Sequence, residues 1–352
     1  MRVLAVGGGT AGHVLPALAV LEALRSRGHD VSFVGSDSGL EADLVEPTGM
    51  PFHAIAAGKL RRYWSWRNVT DVARIVKGFF QAWVLLGALR PDVVFSKGGF
   101  VSFPLVVAAW SRRIPVVAHE SDFSPGLANR LAAPFVRTLC LSFAESERQA
   151  ARPGLRCVHT GTPVRRAILD GHGPSGRRRL GVADDHSLLV ITGGSLGADA
   201  LNEVVRTALP ELLPRFHVLH VCGPGKLSAG NVSGYTQLEF VGDGWGDMLA
   251  AADVVVSRAG ANALVELLAL RKRHVLVPLS KAASRGDQIE NAAMTEAAGL
   301  SIVVQEESLS PTTLLTALDR LQGNAPRIEA ALEAYELPPA TERIVAELER
   351  LA

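Results

Sequence analysis

An apolar run that stops at a cluster of glycines and passes directly into a helical pattern occurs twice, as MRVLAVGGGTAGHVLPALAV at the start and as HSLLVITGGSLGADALNEVV from His186. A run that is apolar at nearly every position reads as a strand buried on both faces, and such strands belong to parallel sheets covered by helices. Each stretch is therefore a βα unit, the opening of a doubly wound domain. With 352 residues the chain is long enough to bury two such cores. The expected fold is α/β, with two Rossmann-like parallel-sheet domains facing a cleft. The breaker cluster at 161–163 marks the change of domain, giving a first domain over 1–162 and a second over 163–337. Pro338 and Pro339 set off a last helical segment, 338–352, expected to pack back on the first domain.

Gly7, Gly9 and Gly12 have the GxGxxG spacing of dinucleotide-binding loops, and Asp37, near the end of the second strand, would suit an NAD(P) oxidoreductase. His13, directly after the loop, points elsewhere. At a helix start the dipole disfavours its charged form, which leaves a neutral imidazole available as a base near pH 7; a capping or surface histidine is the plainer use of the position. Pro16 is expected in the first turn, where its missing N–H costs little. In the second loop, Ser195 and the neighbouring N–H groups suit a diphosphate at the helix start.

The densest site chemistry lies over 257–291, SRAGANALVELLALRKRHVLVPLSKAASRGDQIEN. The glycine turn after DVVVS lets backbone approach a ligand, and the uncapped N–H groups of the helix behind it favour phosphate or hydroxyl oxygens. Glu266 sits about one and a half turns into a helix otherwise filled with Ala, Val and Leu, and its carboxylate can accept two hydrogen bonds from a vicinal diol such as ribose. Asp287, Gln288 and Asn291 follow the next strand and can hold sugar hydroxyls. Lys97, Gly98 and Gly99 end one first-domain strand, and Glu120 and Asp122 end another. Ligands bind at the carboxyl ends of open parallel sheets, so these loops should line the same cleft as His13, with Arg165 at the hinge.

A formal net charge of +1 says nothing of partners for the whole chain, so any electrostatic message is local. It is strongest from Lys59 to Arg90, where Lys59, Arg61, Arg62, Arg67, Arg74, Lys77 and Arg90 oppose only Asp71, with Tyr63, Trp64, Trp66, Phe79, Phe80 and Trp83 among them. Cations mixed with aromatic rings suit an anionic membrane surface. The plain alternative makes Val84, Leu85 and Leu86 core and the arginines a solvated face, and one short patch on a near-neutral protein argues against nucleic acid. No run reaches the roughly 18–20 apolar residues that a span requires, and the start lacks the pattern of a secretory signal, so a cytoplasmic location is expected. Cys140, Cys157 and Cys222, odd in number and beside apolar runs, read as reduced core thiols. No carboxylate pair stands at metal-ligand spacing after an apolar strand, so neither metal nor other cofactor is expected.

The run GGTAGHVLPALAV, with SKGGFVSFP, HESDFSPGLAN, TGTPVR, TGGSLGA, SRAGANALVELLAL and PLSKAASRGDQIENA, in order and at fitting intervals over nearly the whole chain, resembles the MurG family of glycosyltransferases. HESD, SKGGF and KAASRGDQ are similar to its branch in Gram-positive bacteria. The resemblance implies the GT-B architecture and inverting transfer of N-acetylglucosamine from UDP-N-acetylglucosamine to the C4 hydroxyl of lipid I, undecaprenyl-diphospho-MurNAc-pentapeptide, forming lipid II for peptidoglycan. It also implies a peripheral protein on the cytoplasmic face of the cell membrane, with other cell-wall synthesis proteins as partners. By the same resemblance His13 is the general base, Thr10, Ala11 and Gly12 form the first glycine loop, and Arg165 and Ser195 contact the donor phosphates. Trp245 stands where a backbone group meets uracil, Glu266 binds ribose, Ala263, Leu264 and Gln288 lie around the phosphate and sugar, and Asp122 lies at the sugar. Two departures are visible: the loop reads GTAGH where GTGGH is commoner, and many members have Asn where Asp122 stands. Other readings are a transferase for another lipid-linked or antibiotic-precursor acceptor, a UDP-sugar 2-epimerase, and a non-catalytic membrane-associated scaffold.

Overall fold

The computed structural model describes residues 1–58, 66–183, 185–242, 244–284 and 286–352, without side chains for 66–70. Two compact units emerge, Met1–Arg165 with Pro338–Ala352, and Arg166–Leu337. The first runs β1 (Arg2–Gly7), α1 (Ala11–Ser26), β2 (Asp30–Ser36), α2 (Glu41–Val45), β3 (Phe52–Ile55), α3 (Trp66–Leu89), β4 (Val93–Gly98), α4 (Ser102–Ser111), β5 (Val116–Glu120), α5 (Leu127–Ala132), β6 (Thr138–Leu141), α6 (Glu147–Ala150) and β7 (Arg156–His159). The second runs α7 (Arg166–Leu169), α8 (Gly173–Leu180), β8 (Leu188–Thr192), α9 (Asp199–Leu212), β9 (His217–Val221), β10 (Tyr235–Leu238), α10 (Trp245–Ala251), β11 (Val254–Ser257), α11 (Ala261–Ala269), β12 (His274–Leu276), α12 (Asp287–Ala297), β13 (Ile302–Val303), α13 (Pro311–Gly323) and α14 (Ala325–Ala334). The final helix α15 (Ala340–Leu351) belongs to the first unit.

Both sheets are parallel, with strand orders β3-β2-β1-β4-β5-β6-β7 and β10-β9-β8-β11-β12-β13. Each winds outward from its first strand in both directions, so the order reverses between β1 and β4 in one sheet and between β8 and β11 in the other. At such a reversal the loops diverge to opposite faces and leave a crevice at the carboxyl end. Both glycine loops seen in the sequence sit at these reversals.

Strand alternation sorts the first unit's core into two layers. Leu4, Val6, Val94 and Ala118 face α4 residues Leu105 and Ala109, together with Ala82 and Leu86 of α3. Val3, Ala5, Phe95 and Val117 face Leu18 and Leu21 of α1 and Ile344, Val345 and Leu348 of α15. Glu347 then ties α15 to the sheet through Arg156 at 3.1 Å. The three cysteines are free thiols, with Cys140 and Cys222 buried.

Three local expectations are corrected. Pro16 lies inside α1, a turn deeper than expected, where its ring removes the N–H that would reach back to Gly12. The stretch Asp71–Leu89 of α3 is long and apolar enough to cross a membrane by length and composition, contrary to the expectation that no such run exists. Val84 is 65% exposed while Leu86 is buried, so that trio is not uniformly core. One face of α3 is bound to the unit: Gln81 accepts the Ala56 N–H at 2.7 Å, Arg74 donates to the Ala57 carbonyl at 2.8 Å, and Gly78 packs on the Ala56 carbonyl.

Ile344 is fully buried between α15, α1 and the sheet. Ile344→Ala is expected to cost about 2–5 kcal/mol of stability in urea unfolding. An unchanged midpoint would remove α15 from the core.

Candidate functional site

The first unit gathers one set of expected residues at the β1–β4 reversal. Thr10 stands at the N-cap position of α1 without a side-chain capping bond, Ala11 and Gly12 begin the helix, and the His13 N–H closes the first turn on the Thr10 carbonyl at 3.1 Å. Ala11 and Gly12 are therefore helix rather than loop. His13, half-buried, brings Nδ1 to the Lys97 carbonyl at 3.2 Å. A carbonyl only accepts, so Nδ1 carries the proton and the neutral ring's lone pair sits on Nε2, the tautomer a base needs.

Close backbone approach makes this arrangement possible. Gly99 has φ of 86°, and a Cβ there would stand 2.1 Å from the Gly8 carbonyl oxygen, so the SKGGF and GGGTAGH segments interlock only as glycine. Buried Glu41 at the start of α2 accepts the Gly9 N–H at 2.8 Å and the Ser36 hydroxyl at 3.1 Å, holding the loop from the other side. Nothing in the sequence reading singled out Glu41. Its usable signal is an acid directly after SDSGL, at the mouth of the second strand. Asp37 forms an ion pair with Arg74, so the acid an NAD(P) site would require is already committed.

Beyond β5, Glu120 organises the turn that carries Asp122. Its Oε1 accepts the Asp122 N–H at 3.1 Å, while its Oε2 accepts the Gly126 N–H at 2.7 Å and the Asn129 amide at 3.0 Å. His119 is fully buried and gives its Nε2–H to the Gly161 carbonyl at 2.8 Å; burial, then the nearby Lys97 charge, push its pKa well below the ordinary histidine value. Arg165, half-buried, closes the unit before α7, its Nε buried without a hydrogen bond.

The second unit gathers the remaining set at the β8–β11 reversal. Ser195 is exposed on a turn closed by Gly197 N–H to the Gly194 carbonyl at 3.0 Å, four residues ahead of α9 rather than on its first turn. Gly197 has φ of 68° and abuts the Cys222 carbonyl, which fixes that turn against β9. Ala263 and Leu264 lie in the first turn of α11. The Leu264 N–H bonds the Gly260 carbonyl at 2.9 Å and its side chain is fully buried, so the donors at this end are those ahead of it. Glu266 lies one turn on and is half-buried. Gln288 accepts the Leu279 N–H at 3.1 Å, and its Nε2 is turned toward Gly260. Trp245 opens α10, its N–H turned back to the Gly242 carbonyl at 3.3 Å.

Two polar residues of this segment serve the scaffold. Asn291 is fully buried and donates to the Ala259 carbonyl at 3.1 Å, which clamps the turn before α11 and overturns its reading as a sugar ligand. Arg258 is buried and paired with Glu306, while Glu306 also accepts the Ser280 N–H at 2.9 Å. Burial pushes the Glu306 carboxyl upward, but the hydrogen bonds from Ser280 and Arg258 outweigh it and hold the pKa below its ordinary value.

Residues 3–140 match the glycosyltransferase family 28 N-terminal domain and residues 188–343 the glycosyltransferase family 28 C-terminal domain. A UDP-N-acetylglucosamine–N-acetylmuramyl-(pentapeptide) pyrophosphoryl-undecaprenol N-acetylglucosamine transferase of Legionella pneumophila (strain Lens) is 46% identical over 342 residues, 97% of this chain and 94% of that one. Its namesake from Clostridium kluyveri is 43% identical over 351 residues, 99% of each. The crystal structure of Acinetobacter baumannii MurG is similar at a TM-score of 0.76 with 26% identity, covering 99% of both chains.

A depressed carboxyl contributes stability above its unfolded pKa and loses it as pH falls through the folded value. Glu306→Gln should therefore destabilise at pH 7, and its deficit against the wild type should shrink below about pH 4.5, the unfolded carboxylate range. Thermal unfolding from pH 3 to pH 7 measures this, and a deficit independent of pH would contradict the pairing.

Proposed function

Because this chain belongs to glycosyltransferase family 28, alongside the Legionella and Clostridium N-acetylglucosamine transferases, we infer that it moves N-acetylglucosamine from UDP-N-acetylglucosamine to the C4 hydroxyl of lipid I, forming lipid II. The observation that carries the chemistry is the His13 tautomer set by the Lys97 carbonyl. Inversion at the anomeric carbon requires one displacement: the C4 oxygen attacks, its proton passes to His13 Nε2, and the bond to the diphosphate oxygen breaks. As the imidazolium forms, its Nδ1–H already points at a carbonyl dipole, which stabilises the new charge.

The departing UDP falls to Ser195, α11 and Arg165. Ser195 and the N–H groups of its turn, the N-terminal end of α11 and the Arg165 guanidinium supply hydrogen bonds and positive potential to the diphosphate. Glu266 accepts from the ribose diol, the Trp245 backbone meets uracil, and Gln288 Nε2 donates near the sugar. Asp122, on the turn Glu120 holds, meets the transferred sugar. This machinery uses the chain's own donors where other transferases use a divalent ion.

The acceptor is lipid-borne, so the enzyme works as a peripheral protein at the cytoplasmic membrane face. Val72, Val76, Phe80, Trp83 and Val84 recur along one side of α3, each between 44% and 65% exposed, and Trp110 of α4 is 55% exposed. Arg112 lies 3.7 Å above the Trp83 ring, placing a cation in this apolar face. Fully burying such a side chain is worth roughly 1.5–3 kcal/mol, so a half-exposed one gains about half of that, and cations at an anionic surface add about 1 kcal/mol each. Lys59, Arg61, Arg62, Tyr63 and Trp64 lie outside the described residues, as do the side chains of Trp66 and Arg67. Because α3 is fastened along its other face, it lies on the bilayer rather than crossing it.

Incubation with radiolabelled UDP-N-acetylglucosamine and lipid I vesicles is expected to label lipid II, and His13→Ala to cut kcat by about 10²–10⁴-fold. Near-normal turnover in that variant would remove the base assignment. Phe80→Glu with Trp83→Glu should abolish flotation with phosphatidylglycerol vesicles while leaving UDP binding intact; undiminished flotation would remove α3 as the docking face.

A further inference from the structure

On its buried side α9 carries an asparagine. Asn202 is 1% exposed and stands with Leu201, Val205, Ala208 and Leu212, the residues that α9 turns into the second unit. Asparagine is a poor helix former, and its amide is costly to bury unless both ends are hydrogen-bonded. Here both ends are satisfied. Its Oδ1 lies 2.9 Å from His220 Nε2, and its Nδ2 donates to the Cys222 carbonyl at 2.9 Å. His220, fully buried in β9, extends the chain, with Nδ1 at 2.8 Å from the Tyr235 hydroxyl of β10.

The carbonyl at one end fixes the direction of every bond. A carbonyl only accepts, so Asn202 presents Nδ2 to Cys222 and Oδ1 to the histidine. Because Oδ1 also only accepts, the His220 proton sits on Nε2, Nδ1 is a lone pair, and the Tyr235 hydroxyl donates to it. The ring stays neutral in this tautomer: burial, then the nearby Arg206 charge, draw its pKa down to about 4. A directed chain thus runs from β10 through β9 and α9 to the backbone at residue 222.

The glycines beyond that carbonyl give it a consequence. A Cβ on Gly197 would strike the Cys222 oxygen, and one on Gly223 would stand 2.7 Å from the Leu196 oxygen, so the 222–223 peptide lies against the backbone that follows Ser195. At its other end the Ser195 turn is held by Thr192 of β8, whose hydroxyl accepts the Gly194 N–H at 3.2 Å. The turn is therefore fixed at β8 by a hydroxyl and at β9 by packing on a carbonyl whose place Asn202 sets. Stability alone would be served as well by apolar residues of similar shape at 202 and 220. A directed chain that ends on this carbonyl serves its position.

We propose that Asn202 is a positioning residue for the nucleotide donor: it fixes the Cys222 carbonyl, and through it the turn that presents Ser195 and its N–H groups to the diphosphate. The proposal rests on reading Ser195 as the diphosphate contact. The uridine contacts, Glu266 and the Trp245 backbone, lie on α11 and α10, outside this chain of hydrogen bonds. Loss of the Asn202 amide therefore weakens the hold on the diphosphate and spares the nucleoside, whereas a general loosening of the unit would weaken both.

The test is calorimetric titration of the full-length enzyme with UDP and with uridine. Asn202→Leu keeps an apolar side chain of similar size and leaves the Cys222 carbonyl without its donor. Its Kd for UDP is expected to rise about 10-fold, the loss of roughly one good hydrogen bond to a charged group, while its Kd for uridine changes by less than about 2-fold. Amide exchange at Gly197, whose N–H closes the turn on the Gly194 carbonyl at 3.0 Å, should quicken in the same variant. Wild-type affinity for UDP, an equal loss for UDP and uridine, or unchanged exchange at Gly197 would each overturn the positioning role.

If Asn202→Leu does not fold, Tyr235→Phe decides, because it keeps the ring and removes only the far donor of the chain. Its Kd for UDP should rise about 2- to 3-fold with uridine binding unchanged, and wild-type UDP affinity would overturn the role. Added UDP should also slow exchange across residues 194–197 of the wild type. Without that protection the diphosphate reading beneath the proposal fails; with it, and with normal UDP binding in Asn202→Leu, only the positioning role fails.

Discussion

The contact on which the first unit's site depends is backbone against backbone: the Gly99 segment after β4 lies on the Gly8 carbonyl, at a separation that leaves no room for a Cβ. That approach carries the Lys97 carbonyl to His13, and with it the tautomer of the imidazole. The second unit solves the same problem in the same way. Gly197 and Gly223 pass so closely that a side chain on Gly197 would strike the Cys222 carbonyl, and the Ser195 turn is shaped by that passage. Parallel sheets that wind both ways leave their strand ends open at the reversal, and glycine lets loops from adjacent strands converge there.

Around these contacts, charge is placed by burial and by backbone dipoles more than by ion pairs. Glu41 and Glu120 are both nearly inaccessible, and both spend their oxygens on N–H or hydroxyl donors of the segments they organise. Arg258 and Glu306 perform the corresponding task in the second unit, bracing the turn before α11 without reaching toward a ligand. A carboxylate satisfied in this way is rigid, and a rigid loop presents its neighbour, Asp122 in one case and the first turn of α11 in the other, with little entropy left to lose.

Much of the fold was legible from residue order. Continuous apolar runs ending at glycine identified the βα units, and the resemblance to a transferase family agrees with the domain matches and the similar chains. Which way a polar side chain faces was much less legible. Asn291 and Gln288 stand one turn apart on α12, yet Asn291 points into the scaffold and Gln288 toward the Gly260 turn. The helix period alone does not say which neighbouring loop will need a donor. Glu41 escaped notice, and Lys97 was read only as one of the residues that end its strand, for a related reason: their burial is a property of the packed sheet. The apolar length of α3 was missed because Arg74 and Lys77 interrupt it in sequence, whereas on the helix Arg74 turns to the body of the unit and leaves an apolar stripe outside.

The account stands on the second unit binding the diphosphate nucleotide through its two strand-end loops. Amide hydrogen exchange with and without UDP-N-acetylglucosamine measures this most directly. The prediction is slowed exchange in the Ser195 turn and the first two turns of α11, with the amides of α3 unaltered. Protection confined to the glycine loop ahead of α1, as a dinucleotide-binding protein would show, would contradict it.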